Sequence, residues 1–259
     1  MEKGKVVKVS YSGYVNGKLF DTTDEELAKK ERIFNPRMMY GPLTVIVGNR
    51  ELLPGLDEAL LDMEVGEERE LELPPEKAFG KRDPSKVKLV PYKEFRDRNI
   101  KPIVGLPVTI DGNVGKIVKV SGGRVLVDFN HEFAGKTVKY ILKIEEVIEE
   151  PSEIVKEIID KYLPNIENID KMVEIGEDEI KIIVPERLLL INGLPIIKIR
   201  IAGDIFDTLG ISKVSFVEEI VNPKKADENI EKDNNAENNN NEETGSEEEK
   251  EEMEQEEKE

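Results

Sequence analysis

The sequence predicts an α+β protein: a mostly antiparallel sheet wrapped around one short helix, a small inserted β domain, and a C-terminal α+β domain. Three observations carry this. In the first 150 residues, runs with the two-residue period of strands surround a single run with helical spacing. Between Pro84 and Asn130, nine Lys/Arg stand against four Asp/Glu, a net of +5 inside a chain of formal charge −18. After Pro151, helical and strand-like runs mix.

From Lys5 to Tyr14, Val7, Val9, Tyr11 and Gly13 fall on one face and Lys8, Ser10 and Ser12 on the other, the pattern of a half-buried strand. Asn16-Gly17 then marks a hairpin turn. Leu43 to Val47 is a second strand-like run, closed by Gly48. Leu56, Ala59, Leu60 and Met63 stand at i, i+3, i+4 and i+7; Pro54 suits a first helical turn, and Asp57 and Glu58 favour its dipole. Glu67 to Leu73 alternates again, as does Lys136 to Glu149. The insert has strand signals at Leu106 to Ile110, Gly115 to Val120 and Arg124 to Phe129, with turns at Asp111-Gly112 and Gly122-Gly123. A loop of that length without structure of its own would be uncommon. Beyond Pro151, Ser152 reads as the N-cap of a helix whose stripe is Ile154, Val155, Ile158, Ile159 and Tyr162, ending before Pro164. Strands are expected at Glu179 to Val184, Leu194 to Ala202 and Lys213 to Val221, and short helices at Glu186 to Ile191 and Asp204 to Leu209. The expected domains are residues 1–83 with 131–150, the insert 84–130, a third domain 151–221, and a tail 222–259.

That tail holds 16 Asp/Glu and 5 Lys/Arg among 38 residues, with four apolar side chains, too few to offset the entropy of ordering it. It is read as a disordered acidic tail. The charge that remains is ordinary for a globular protein, and nucleic acid is not an expected partner. No cysteine and one histidine, His131, exclude disulfide scaffolds, thiol nucleophiles and thiolate zinc sites, and leave no basis for a histidine metal site or a Ser-His-Asp triad. No metal or cofactor is expected. The charged, alternating N-terminus and the lack of a long apolar run point to the cytoplasm and away from membranes.

Several phrases then resemble one family. VSYSGYVNGKLFDTT (Val9 to Thr23), GPLTVIVGNRELLPGLDEALLDMEVGE (Gly41 to Glu67), LPPEKAFG (Leu73 to Gly80) and NHEFAGKTVKYILKIEEV (Asn130 to Val147) resemble the FKBP-type peptidyl-prolyl isomerases. The insert between AFG and NHEFAGK makes the SlyD-like branch, with its insert-in-flap domain, the closer match, in a long archaeal form. The resemblance implies a half-barrel sheet around the helix and isomerisation of Xaa-Pro bonds. It places the proline pocket at Tyr11, Phe20, Asp21, Leu43, Leu52, Leu53, Leu56, Phe79 and Tyr140. Leu56 stands where many FKBPs have a tryptophan floor. The stretch Thr22 to Pro42 is longer than in small FKBPs and carries Phe34, Met38, Met39 and Tyr40. The metal-binding tail of SlyD has no counterpart here.

The residues alone read more blandly. Phe20, Leu56 and Phe79 would be core, Asp21 a turn residue and His131 a hydrogen-bonded loop residue outside the site; the joint spacing makes the pocket. Leu89, Val90, Phe95, Ile103, Leu106, Val108, Val118, Val125 and Val127 are many apolar residues for so small an insert. Together with the resemblance, they are read as binding unfolded chains, by an apolar face or by strand addition. The expected partners are unfolded or partly folded polypeptides and Xaa-Pro segments, with self-association of two copies through the C-terminal domain as a further option. The alternative function is a non-catalytic chaperone or adaptor that binds proline-containing segments.

Overall fold

The computed structural model describes residues 1–164, 166 and 168–220; the acidic tail from Asn222 lies outside them. The alternating N-terminal run forms β1 (Val6–Val15), which turns back through Asn16 and Gly17, both at positive φ, into β2 (Lys18–Thr22). A short helix follows, α1 (Glu25–Lys30), capped by the Asp24 carboxylate, which accepts from the Leu27 N–H. Then come β3 (Leu43–Ile46), α2 (Pro54–Leu61) and β4 (Glu68–Leu73). The insert contributes β5 (Val87–Pro91), α3 (Tyr92–Asp97), β6 (Pro107–Ile110), β7 (Asn113–Ser121) and β8 (Arg124–Asp128). The chain returns as β9 (Val138–Ile148) and continues into α4 (Pro151–Tyr162). The remainder is β10 (Val173–Ile175), β11 (Glu179–Pro185), α5 (Glu186–Leu189), α6 (Leu194–Leu209) and β12 (Lys213–Glu219).

Two compact units result, one of residues 1–164 with 207–210, the other of the remaining described residues. In the first, an antiparallel sheet runs β2-β1-β9-β4, with β3 also paired to β1. Helix α2 lies across it and buries Leu56 and Leu60 against Val7, Val9, Val45, Leu142 and Ile144. The close approach needs Gly55, where a Cβ would come within 2.5 Å of the Leu73 side chain. Helix α4 is fastened to the same sheet. Its Glu157 accepts from Thr44 Oγ1 at 2.7 Å and pairs with Lys8 at 2.6 Å.

The insert is an antiparallel sheet ordered β5-β8-β7-β6 over its own core of Val90, Phe95, Val108, Ile117, Val125 and Val127. Strand β5 and helix α3 add to the three strands expected. Five residues assigned to client binding, Val90, Phe95, Val108, Val125 and Val127, are thereby corrected to core positions, because alternation on so small a sheet does not say which face is covered. Leu106 packs against that core, while Leu89, Ile103 and Val118 are exposed.

In the second unit β11 pairs antiparallel with β10 and parallel with β12. Two expectations are corrected. The run from Leu194 is helical, because Leu194, Ile201 and Ile205 at i, i+7 and i+11 are the buried positions, whereas Ile196 and Ile199 face outward. Helix α4 takes Glu150 as its N-cap and Pro151 at its first position, rather than starting at Ser152. Among the described residues no helix is long and apolar enough to cross a membrane.

Candidate active site

A group of aromatic rings gathers beside the sheet. The pairing of β1 with β2 shifts between Gly13 and Tyr14, which leaves Phe20 without a partner on β1. Such a bulge re-aims a side chain. The Phe20 ring meets Tyr140 edge to face at 5.8 Å, Phe79 at 5.8 Å and Phe133 at 4.4 Å. Tyr11 adds an edge contact to Tyr140 at 5.9 Å. Gly13 sits directly opposite Tyr140 on β9 and opposite Asp21 on β2. A Cβ there would lie 2.8 Å from two atoms of the Tyr140 ring and 3.0 Å from Phe20.

Phe79 follows a 3-10 turn at Pro75–Lys77, where Gly80, at φ +80°, donates to the Pro75 carbonyl at 2.7 Å. The Gly135 N–H donates to the Gly80 carbonyl at 2.8 Å, tying the outgoing and returning chains together. Phe133 comes in on the returning chain. His131 stacks on Phe79 with ring centroids 4.5 Å apart, and its Nδ1 accepts from the Phe133 N–H at 3.2 Å.

At the other edge the Tyr11 phenol and the Asp21 carboxylate influence one another, and the Thr22 backbone N–H acts on the same carboxylate. Burial holds the Asp21 carboxyl above its usual range, and those two groups act against it. Burial, then the Asp21 carboxylate, push Tyr11 up to about 12. Tyr140 is raised as well, by burial first, then by Asp21 and Tyr11. Both phenols are neutral at ordinary pH.

Leu56 is buried beneath this group, and Leu52 and Leu53 pack against the same core. Leu43 is not brought to it. It opens β3 opposite Val9 and is 42 % exposed. Among the described residues no group of three or more His, Asp or Glu is placed to hold a metal. A half-buried aromatic lining with one carboxylate can desolvate a small apolar ring and orient the chain beside it.

Comparison with known proteins gives the family. Residues 1–95 match the FKBP-type peptidyl-prolyl cis-trans isomerase family, residues 88–133 the family of FKBP26 IF domains, and residues 151–221 the FKBP26 C-terminal family. The chain is 43% identical over 147 residues to the short-type peptidyl-prolyl cis-trans isomerase of Methanocaldococcus jannaschii, an alignment covering 57% of this chain and 94% of that one. The chain belongs to the FKBP-type peptidyl-prolyl cis-trans isomerases. The probable FKBP-type 16 kDa isomerase of Pseudomonas fluorescens is 33% identical over 111 residues, 41% of this chain and 73% of that one. Helicobacter pylori SlyD is 30% identical over 115 residues, 42% of this chain and 62% of that one.

This FKBP-type isomerase acts on Xaa-Pro peptide bonds. Three residues beside the aromatic group were not expected there: Phe133, His131 and Gly13. Phe133 stands within the quoted NHEFAGK phrase, and that is the signal that could have found it. A raised folded-state pKa means that the stabilising contribution of the Tyr11 phenol is complete below about pH 10 and is lost as pH rises toward 12. Alkaline titration followed by ultraviolet absorbance is expected to find two of the six tyrosines ionising late, and one late phenol fewer in Tyr11→Phe. Six phenols titrating together would contradict this environment.

Proposed function

We propose that this isomerase accelerates proline-limited protein folding in the cytoplasm, and that its insert captures unfolded chains for the pocket. The observation that carries this is the neck of the insert. Asn130 accepts from the Asp83 N–H at 2.8 Å and donates to the Asp83 carbonyl at 2.9 Å, and Arg82 pairs with Asp128. The insert thus leaves and returns a few residues from Phe79, His131 and Phe133, and a chain held on it is tethered near the pocket.

An Xaa-Pro amide resists rotation by about 18–20 kcal/mol because resonance holds it planar. The twisted transition state has lost that resonance, and its carbonyl is less dipolar. Moving the bond from water into an apolar site therefore disfavours the planar ground state more than the transition state, which is the differential binding that catalysis requires. In this reading Phe20, Leu52, Leu53, Leu56, Phe79 and Tyr140 hold the proline ring. The Tyr11–Asp21 pair and the backbone N–H near Leu53 orient the chain. No nucleophile is required.

Client contact is assigned to the exposed apolar residues of the insert, Leu89, Ile103, Val104, Val114, Val118 and Val120, and to the open edges of β5 and β6. The test is the refolding of a protein limited by a slow proline phase. The expected result is a faster slow phase, abolished or strongly reduced by Phe20→Ala, Phe79→Ala and Tyr140→Ala in variants that remain folded. An adaptor without turnover would leave that phase unchanged or retard it.

Association of two copies through the C-terminal domain is proposed from α6. Its outward face carries Ile196, Ile199 and Phe206, 61%, 72% and 39% exposed, with Gly203 among them. Sedimentation is expected to give a dimer that Ile199→Lys dissociates; a monomeric wild-type protein would reject this.

A further inference from the structure

The segment joining α1 to β3, together with the first residue of β3, exposes four large apolar side chains within ten residues: Phe34 (40%), Met38 (49%), Met39 (66%) and Leu43 (42%). It is internally fastened. Phe34 stacks on Tyr40 with centroids 5.4 Å apart and planes 16° from parallel, and the Asn35 N–H donates to the Tyr40 hydroxyl at 2.9 Å. The Ile33 and Phe34 N–H groups both donate to the Ala28 carbonyl. Apolar surface presented by a fastened loop loses little further entropy on binding.

The loop is also continuous with the pocket. Gly41 donates to the Thr23 carbonyl at 2.8 Å, and Thr23 is doubly bonded to the Tyr11 backbone: its N–H donates to the Tyr11 carbonyl at 3.0 Å and its Oγ1 accepts from the Tyr11 N–H at 3.0 Å. Leu43 pairs with Val9, two residues before Tyr11. From residue 30 to residue 43 the exposed cations Lys30, Arg32 and Arg37 stand against the one acid Glu31, while on the preceding helix Lys29, which lies over the Phe34 ring, is engaged by Glu25 and Glu26.

We propose that residues 31–43 form a second client-binding surface, which takes the apolar residues flanking the proline in an extended chain and favours an acidic residue among them. This rests on the pocket assignment above. The occupant follows from continuity, since a chain whose proline lies beside Tyr11 and Asp21 has its neighbouring residues at the foot of this loop. It follows also from charge. Two methionines with three rotatable bonds each suit varied client side chains.

The test compares two peptides with the same central Ala-Pro, one short and one extended on both sides by Leu, Phe and Glu. In M38S/M39S both replaced side chains are exposed, so the fold is expected to survive, and thermal melting verifies it. The expected result is a rise of about tenfold in KM for the extended peptide, equivalent to about 1.4 kcal/mol, with kcat/KM on the short peptide unchanged. R32E/R37E is expected to shift preference from flanking Glu to flanking Lys. An unchanged KM on the extended peptide, an equal loss on both peptides, or dissociation of a dimer by M38S/M39S would overturn the proposal. Failure of the pocket assignment would show elsewhere, as normal turnover of the short peptide by folded Phe20→Ala and Tyr140→Ala.

Discussion

Gly13→Ala is expected to lower kcat/KM on a short Xaa-Pro peptide by about ten- to a hundredfold and to cost about 1–3 kcal/mol of stability. Position 13 lacks a positive φ, so the backbone itself tolerates alanine. The obstacle is space. The new methyl would lie 2.8 Å from the Tyr140 ring and 3.0 Å from Phe20, nearer than carbon atoms approach without repulsion. One ring has to give, and neither is free to do so: Tyr140 is 3% exposed and leans on Tyr11, while Phe20 is wedged among Phe79, Phe133 and Tyr140. A shift of that group misplaces the surface against which the proline ring packs. Melting temperature and peptide kinetics measured on one sample separate the two effects. Unaltered turnover in a destabilised variant would mean that the aromatic group is core and not pocket.

The sequence made the first unit legible because its strands are half-buried and so alternate, and because Asn16-Gly17 and Asp111-Gly112 can take the positive φ that their turns require. It misled at α6. There Ile197, Ile199 and Ile201 alternate with Lys198 and Arg200, a strand pattern over five residues, and only the longer spacing from Leu194 to Ile205 has the helical period. The aromatic residues of the site were legible one by one as large apolar positions in recognisable phrases. Gly13 was not, because a glycine that supplies space is meaningful only once Tyr140 is known to face it. Nor was Phe133, which reaches the group by way of the turn between the insert and β9. In the insert the apolar count was right but its division was not, since composition cannot separate a core valine such as Val125 from an exposed one such as Val114.

Replacing residues 84–130 with a short Gly-containing turn is expected to spare most isomerisation of a short peptide and to reduce catalysis of protein refolding by about seventyfold. The magnitude follows from area. If a client covers about 100 Å² of apolar surface on the insert, at about 25 cal/mol per Å² that is about 2.5 kcal/mol, or close to seventyfold in affinity. The exposed residues available for such a contact lie on three separate parts of the insert: Leu89 on β5, Ile103 and Val104 before β6, and Val114, Val118 and Val120 on β7. Peptide turnover should survive because Tyr11, Phe20, Asp21, Leu56, Phe79 and Tyr140 all lie outside the excised segment, and the Gly135–Gly80 hydrogen bond still closes the two chains below the cut. His131 and Phe133 are the sensitive points, being one and three residues beyond the new junction. Replacing only the exposed insert residues with serine removes that ambiguity, since it leaves the neck contacts of Asn130, Asp83 and Arg82 in place. Serine variants that refold protein substrates as fast as the wild type would reject client capture by the insert; equal losses on peptide and protein after excision would mean that the insert only braces the pocket rim.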